Sequence, residues 1–175
     1  MTTTKKILSV YLTNLGKYNE GYLIGEWLDL PATDDEIEEL MERIGIDGEE
    51  YEEFFITDYE SDYGIKCGEY DNLDDLNALA ENLSELDDDQ LDIIEVLMTE
   101  GGYDVEQALE KVDDVYVFFD CYNMGQVAEQ YCDDCGILDE IPEHLRYYFD
   151  FEAYGRDMEL EGEFYYNNGN YYQVI

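Results

Sequence analysis

One histidine, four cysteines and 47 carboxylates are the side chains of this 175-residue chain that could do chemistry. His144 falls in the first turn of an expected helix, beside Glu143, and no serine or cysteine motif is spaced to serve it as a nucleophile. A surface histidine is the simpler reading. Cys132 and Cys135 have the C-x-x-C spacing of redox pairs and zinc sites, and Cys67 and Cys121 are the other two thiols. The pair ends a helix, where the macrodipole disfavours thiolates, and Asp133 and Asp134 disfavour them further. Cys67 and Cys121 stand singly instead of forming a second pair, so half-buried thiols are expected and no metal. The nearest approach to a calcium loop is DYESDYGIKCGE at 58–69, with Asp58, Glu60, Asp62 and Glu69 at ligand positions. Tyr63 stands where that loop needs glycine, Lys66 occupies another ligand position, and an expected strand precedes it. Carboxylate pairs suited to acid–base work arise by number alone and carry no information. With no phosphate-cradling glycine loop and no nucleophile elbow, the chain is expected not to be an enzyme and to hold no cofactor.

What the carboxylates do collectively is more informative. Against eight Lys and Arg they give a formal charge of -39, that of about 20 base pairs of duplex. Self-repulsion of this size destabilises a compact state. The chain should fold nonetheless, because 45% of it is hydrophobic and it carries 18 tyrosines, unlike disordered acidic tails. The opening MTTTKKILSVYLTNL has no apolar run of export-signal or membrane length, so a cytoplasmic protein with reduced thiols is expected. Nucleic acid and anionic membranes are repelled, and the matching partner is basic. Lys5, Lys6 and Lys17 precede the first acid, Glu20, leaving five cations among all 47 acids.

The elements that position these charges read as α+β, in three small domains along an elongated chain. An N-terminal α+β domain, 1–60, has strands at 7–13, 22–28 and 51–59 and a helix capped by Thr33 and stopped by Gly45, making a ββαβ unit. A small helical domain, 61–112, has three helices capped by Asn72 or Asp71, Ser84 and Asp104. A C-terminal α+β domain, 113–175, begins with a strand at 115–119. A helix from Asn123 to near Gly136 and another over PEHLRYYFDF follow, and a hairpin turning at Asn168 and Gly169 closes it.

Acids recur in every domain, and on the first-domain helix residues three or four apart place their Cβ atoms about 5–6 Å from one another, comparable to neighbouring phosphates. Like charges so spaced do not stabilise a helix. The candidate phosphate-like positions are Asp34, Asp35, Glu38, Glu39 and Glu42 on that helix and Asp47, Glu49 and Glu50 after it. Asp74, Asp75, Asp87, Asp88 and Asp89 continue the set in the helical domain.

Three stretches resemble the antirestriction proteins of the ArdA type carried on conjugative plasmids and transposons. VYLTNLGKYNEGYLIGEWLDLP (10–31) is similar to their opening, and YEEFFITDYE (51–60) to the close of their first domain. GILDEIPEHLRYYFDFEAYGRDMELEG (136–162) is similar to their antirestriction motif. The resemblance implies a dimeric mimic of bent B-form DNA that occupies the DNA-binding site of type I restriction-modification enzymes and inhibits restriction, with modification a further possible target. It also implies that the motif region pairs two subunits, through Leu138, Ile141, Pro142, Leu145, Tyr148, Phe149, Tyr154, Gly155, Arg156 and Asp157. The partners would be the enzyme's methyltransferase and specificity core and a second copy, with no nucleic acid and no membrane. Read from charge alone, an acidic module aimed at another basic DNA-binding protein, a divalent-cation buffer and a salt-adapted enzyme stay open.

Overall fold

A computed structural model describes residues 6–175. The first five residues, with Lys5 and the start of the stretch read for an export signal, lie outside them. The described chain is mixed α+β, 47% helical and 20% strand, with two small antiparallel sheets. It divides into units of residues 1–95 and 96–175, and none of its described helices is long and apolar enough to cross a membrane.

In the first unit β1 (Leu8–Asn14) lies between β2 (Gly25–Leu30) and β3 (Phe54–Glu60), antiparallel to both. Alternation along β1 sends Leu8, Val10 and Leu12 to one face, where each is almost fully buried. Ser9 and Thr13 are buried on the other face but keep polar partners: Ser9 donates to Asp29, and the Thr13 and Thr57 hydroxyls meet at 2.8 Å. A short helix, α1 (Leu15–Asn19), occupies part of what the sequence suggested was a loop. Asn14 explains it. Its Oδ1 accepts from the Lys17 N–H at 2.9 Å, while its Nδ2 donates to the Ile44 and Gly45 carbonyls at 3.1 Å. One fully buried amide thus starts α1 and closes α2 (Asp34–Ile44). At the other end of α2, Thr33 caps the helix as expected, in a capping box with Glu36 that was not singled out from the sequence, and Gly45 ends it at φ 81°.

α3 (Leu73–Ser84) starts at Asn72 and buries Leu73, Leu76, Ala80 and Leu83. Asn77 on the same helix accepts from the Ala32 N–H and donates to the Ala32 carbonyl, at 2.7 and 2.9 Å, which ties α3 to the chain leaving β2. Ser84 does not cap the next helix, as the sequence suggested. It is the last residue of α3, where its hydroxyl donates to the Glu81 carbonyl. The reciprocal bonds of Asp87 and Gln90 cap α4 (Asp88–Thr99) instead, three residues further on.

The second unit holds α5 (Val105–Lys111), capped as expected by Asp104, then β4 (Val115–Phe118) and α6 (Met124–Asp134), capped by Asn123. Only one turn of the helix expected over PEHLRYYFDF forms, and a second helix, not expected from the sequence, begins at its last residue, Phe151. A single turn, α7 (Glu143–Arg146), stops before Tyr147, and Asp150 caps a separate α8 (Phe151–Glu161) by accepting from the Ala153 N–H. β5 (Glu163–Asn167) and β6 (Asn170–Val174) form the expected hairpin, with Asn168 and Gly169 both at positive φ. The sheet order is β4-β6-β5. Phe118, Cys121, Met124 and Val127 form a buried cluster against which Met158, Phe164 and Tyr171 pack.

Candidate partner-binding surface

None of the 47 carboxylates is buried, and all but Glu26, Asp92, Glu95 and Glu163 are exposed. The cores of both units are built from apolar side chains with a few hydrogen-bonded Ser, Thr and Asn. All thirteen candidate phosphate-like residues are exposed, but their local roles divide them. Asp34 and Asp35 open α2, Asp74 and Asp75 open α3, and Asp88 and Asp89 open α4. There the positive end of the macrodipole favours an anion. Asp47 is a loop organiser: one oxygen accepts from the Glu49, Glu50 and Tyr51 N–H groups at 2.9–3.0 Å, which holds its carboxyl below the usual range. Asp87 is a helix cap. Glu38, Glu39 and Glu42 lie beyond the first turn of α2, so the helix start does not favour them, and Arg43 pairs with Glu39 at 3.8 Å and with Glu26 at 2.8 Å.

Other cations are also held within their own unit. Lys6 lies 3.5 Å from Asp29 and 3.8 Å from Glu60, and Lys17 lies 3.6 Å from Glu20 and over the Tyr51 ring. Lys111 covers the Tyr103 ring, and Arg146 reaches Asp139 at 3.3 Å.

The motif residues split between inside and outside. Gly155 is buried in the contact of α8 with α6, and Leu138, Ile141, Phe149 and Tyr154 are half-buried, Phe149 against the Phe151 and Tyr154 rings. Pro142, Leu145, Tyr148, Arg156 and Asp157 are exposed, Tyr148 at 78%. Tyr147, edge-on to Tyr148, is 91% exposed and was not singled out from the sequence.

His144 is exposed. Cys121 and Cys132 are buried, which raises both thiols, Cys67 is half-buried and Cys135 exposed. Among the described residues no three His, Cys, Asp or Glu side chains are grouped to hold a metal.

One polar cluster had no sequence signal, because its members are distant along the chain. Glu163 accepts from the hydroxyls of Tyr103 and Tyr165, the latter at 2.5 Å. These bonds hold the Glu163 carboxyl below its usual range, while burial and the carboxylate push the Tyr165 phenol up.

A folded core clad in carboxylates is what an acidic binding protein for a cationic partner requires. The model of the family described as Antirestriction protein (ArdA) matches residues 10–173. The chain belongs to that family, which makes it an antirestriction protein. A search of curated proteins returned no match.

Proposed function

We propose that two copies of this chain, paired through residues 136–160, act as a mimic of bent B-form DNA. The pair occupies the DNA-binding cleft of a type I restriction-modification enzyme and blocks restriction, and by the same occupancy modification. Each chain is organised as three small domains, 1–60, 61–112 and 113–175, and works in the cytoplasm, where such enzymes meet incoming DNA. The observation that supports this most is the exposure of the carboxylates. Acids spent on buried ion pairs or a catalytic pocket would be hidden, and here none is buried and all but four are exposed. Two chains carry about the charge of 39 base pairs.

The mechanism is competition for a basic groove. Lys and Arg that contact phosphates must release counterions when duplex binds, and a folded polyanion satisfies the same cations. It offers no base edges, so inhibition is independent of the enzyme's recognition sequence. The role of each carboxylate is collective.

The test is a competition assay in which a purified type I methyltransferase core, loaded with fluorescent duplex, is titrated with this protein. Stoichiometric displacement of DNA, weakening as NaCl rises, is the expected result. Binding that leaves the duplex in place, or a single carboxylate whose removal abolishes inhibition, contradicts the proposal.

A further inference from the structure

The connection from α1 to β2 carries three consecutive apolar side chains in the open: Tyr22 at 61%, Leu23 at 81% and Ile24 at 38% exposure. Single exposed leucines are ordinary, but adjoining ones on a polyanion are not. The segment is held firmly despite its exposure. Gly21, at φ 92°, donates its N–H to the Tyr18 carbonyl, and the Tyr22 N–H donates to the Lys17 carbonyl, both at 2.9 Å. Beyond the tip, the Ile24 carbonyl accepts from the Asn14 N–H at 2.9 Å. Gly25 then re-enters the sheet with its carbonyl accepting from the Tyr11 hydroxyl at 2.8 Å. Leu23 is therefore presented between two fixed stretches of backbone, which lowers the ordering cost a partner would have to meet.

The surroundings of this tip are acidic. α1 is bonded to the end of the 49–53 run through the Leu15 N–H and the Glu53 carbonyl at 3.0 Å, and Glu49, Glu50, Glu52 and Glu53 are all exposed there. Glu20 immediately precedes the tip. Acids of this sign beside the tip favour a cationic partner. An apolar centre within a charged rim is the arrangement in which few residues carry most of the binding energy.

We propose that Tyr22 and Leu23 form an apolar anchor that enters a hollow on the basic face of the restriction-modification enzyme, adding to the complex a share of affinity that salt does not screen. The inference rests on the function proposed above. It goes further, because DNA offers no aliphatic side chain at this position, so the anchor would recognise the enzyme by means that duplex lacks.

The test uses the full chain and the purified methyltransferase core, with affinity measured over a series of NaCl concentrations for the wild type, Leu23→Ser, Tyr22→Ser and the charge control E49Q/E50Q. The two apolar variants should bind about tenfold more weakly or worse, by the same factor at every salt concentration, so that plots of log affinity against log salt stay parallel to the wild type. The charge control should give a shallower line. Thermal melts matching the wild type confirm that the exposed substitutions leave the fold intact. Unchanged affinity in both apolar variants overturns the anchor while leaving DNA mimicry standing. So does a change confined to the self-association of the chain in sedimentation. Failure of the wild type itself to bind the core overturns both proposals.

Discussion

Gly155 in α8 lies against the backbone of Met124 in α6: a side-chain carbon on Gly155 would stand 2.1 Å from the Met124 carbonyl oxygen. Only glycine allows that approach, so part of the 136–162 motif is spent on joining two helices of one chain. Mutations in the motif therefore fall into two kinds, those that open the α6–α8 contact and those that alter the outward surface.

Gly155→Ala should lose about 1–3 kcal/mol of stability through overpacking, read from the denaturant midpoint. Substitutions of Arg156 or Asp157, both exposed, should leave that midpoint almost unchanged. If Gly155→Ala proves as stable as the wild type, the close contact is not a constraint.

Asn14→Ala should be among the most damaging single changes in the first unit. It removes the α1 cap and leaves the Ile44 and Gly45 carbonyls without their side-chain donor, a loss of about 1–3 kcal/mol. Chemical denaturation measures it, and amide exchange should quicken at the start of α1 and the end of α2.

The acids of α2 should separate stability from binding. E38Q/E42Q removes like charges that the helix start does not favour, so the melting temperature should rise while affinity for the methyltransferase core falls. D34N/D35N should lower both, because those carboxylates also complement the helix start. Equal effects of the two pairs on stability would show that position along the helix does not matter.

Glu163 supplies a pH test. Its folded value is lowered by the hydrogen bonds from Tyr103 and Tyr165, so the ionised form is the one stabilised. The stability difference between the wild type and Glu163→Gln should be full above the ordinary carboxylate value of 4.5 and shrink as pH falls through the lowered folded value. A difference that stays constant into acid would show that the bonds do not depend on the charge.

Local chemistry was readable wherever the partner is near in sequence. The caps Thr33 and Asp104 and the turn at Asn168 and Gly169 stand in the structure as expected, and the caps' partners Glu36 and Gln107 lie three residues on. Ser84 suggested a cap, but it ends α3 with its hydroxyl donating to the Glu81 carbonyl, and Asp87 caps the next helix. Asn14 caps α1 because the end of α2, thirty residues on in sequence, holds its amide. The Tyr103 and Glu163 pair spans sixty residues and leaves no pattern at all. For the surface, sequence supplied the charge and its placement on helices. It did not separate Asp47, which shapes a loop, from Glu49 and Glu50 beside it, because that distinction lies in which backbone N–H groups turn toward the carboxylate.

The absence of any buried carboxylate divides the sequence into two nearly independent texts, one written in apolar positions and one in acidic ones. The first tolerates little revision, since each of its letters touches others. Apart from the acids that cap helices or shape turns, such as Asp47, Asp87, Asp104 and Asp150, the second can be rewritten by moving a charge to the next exposed site at little cost to the fold. An inhibitor composed in this way can keep its inhibitory effect while its outer spelling drifts.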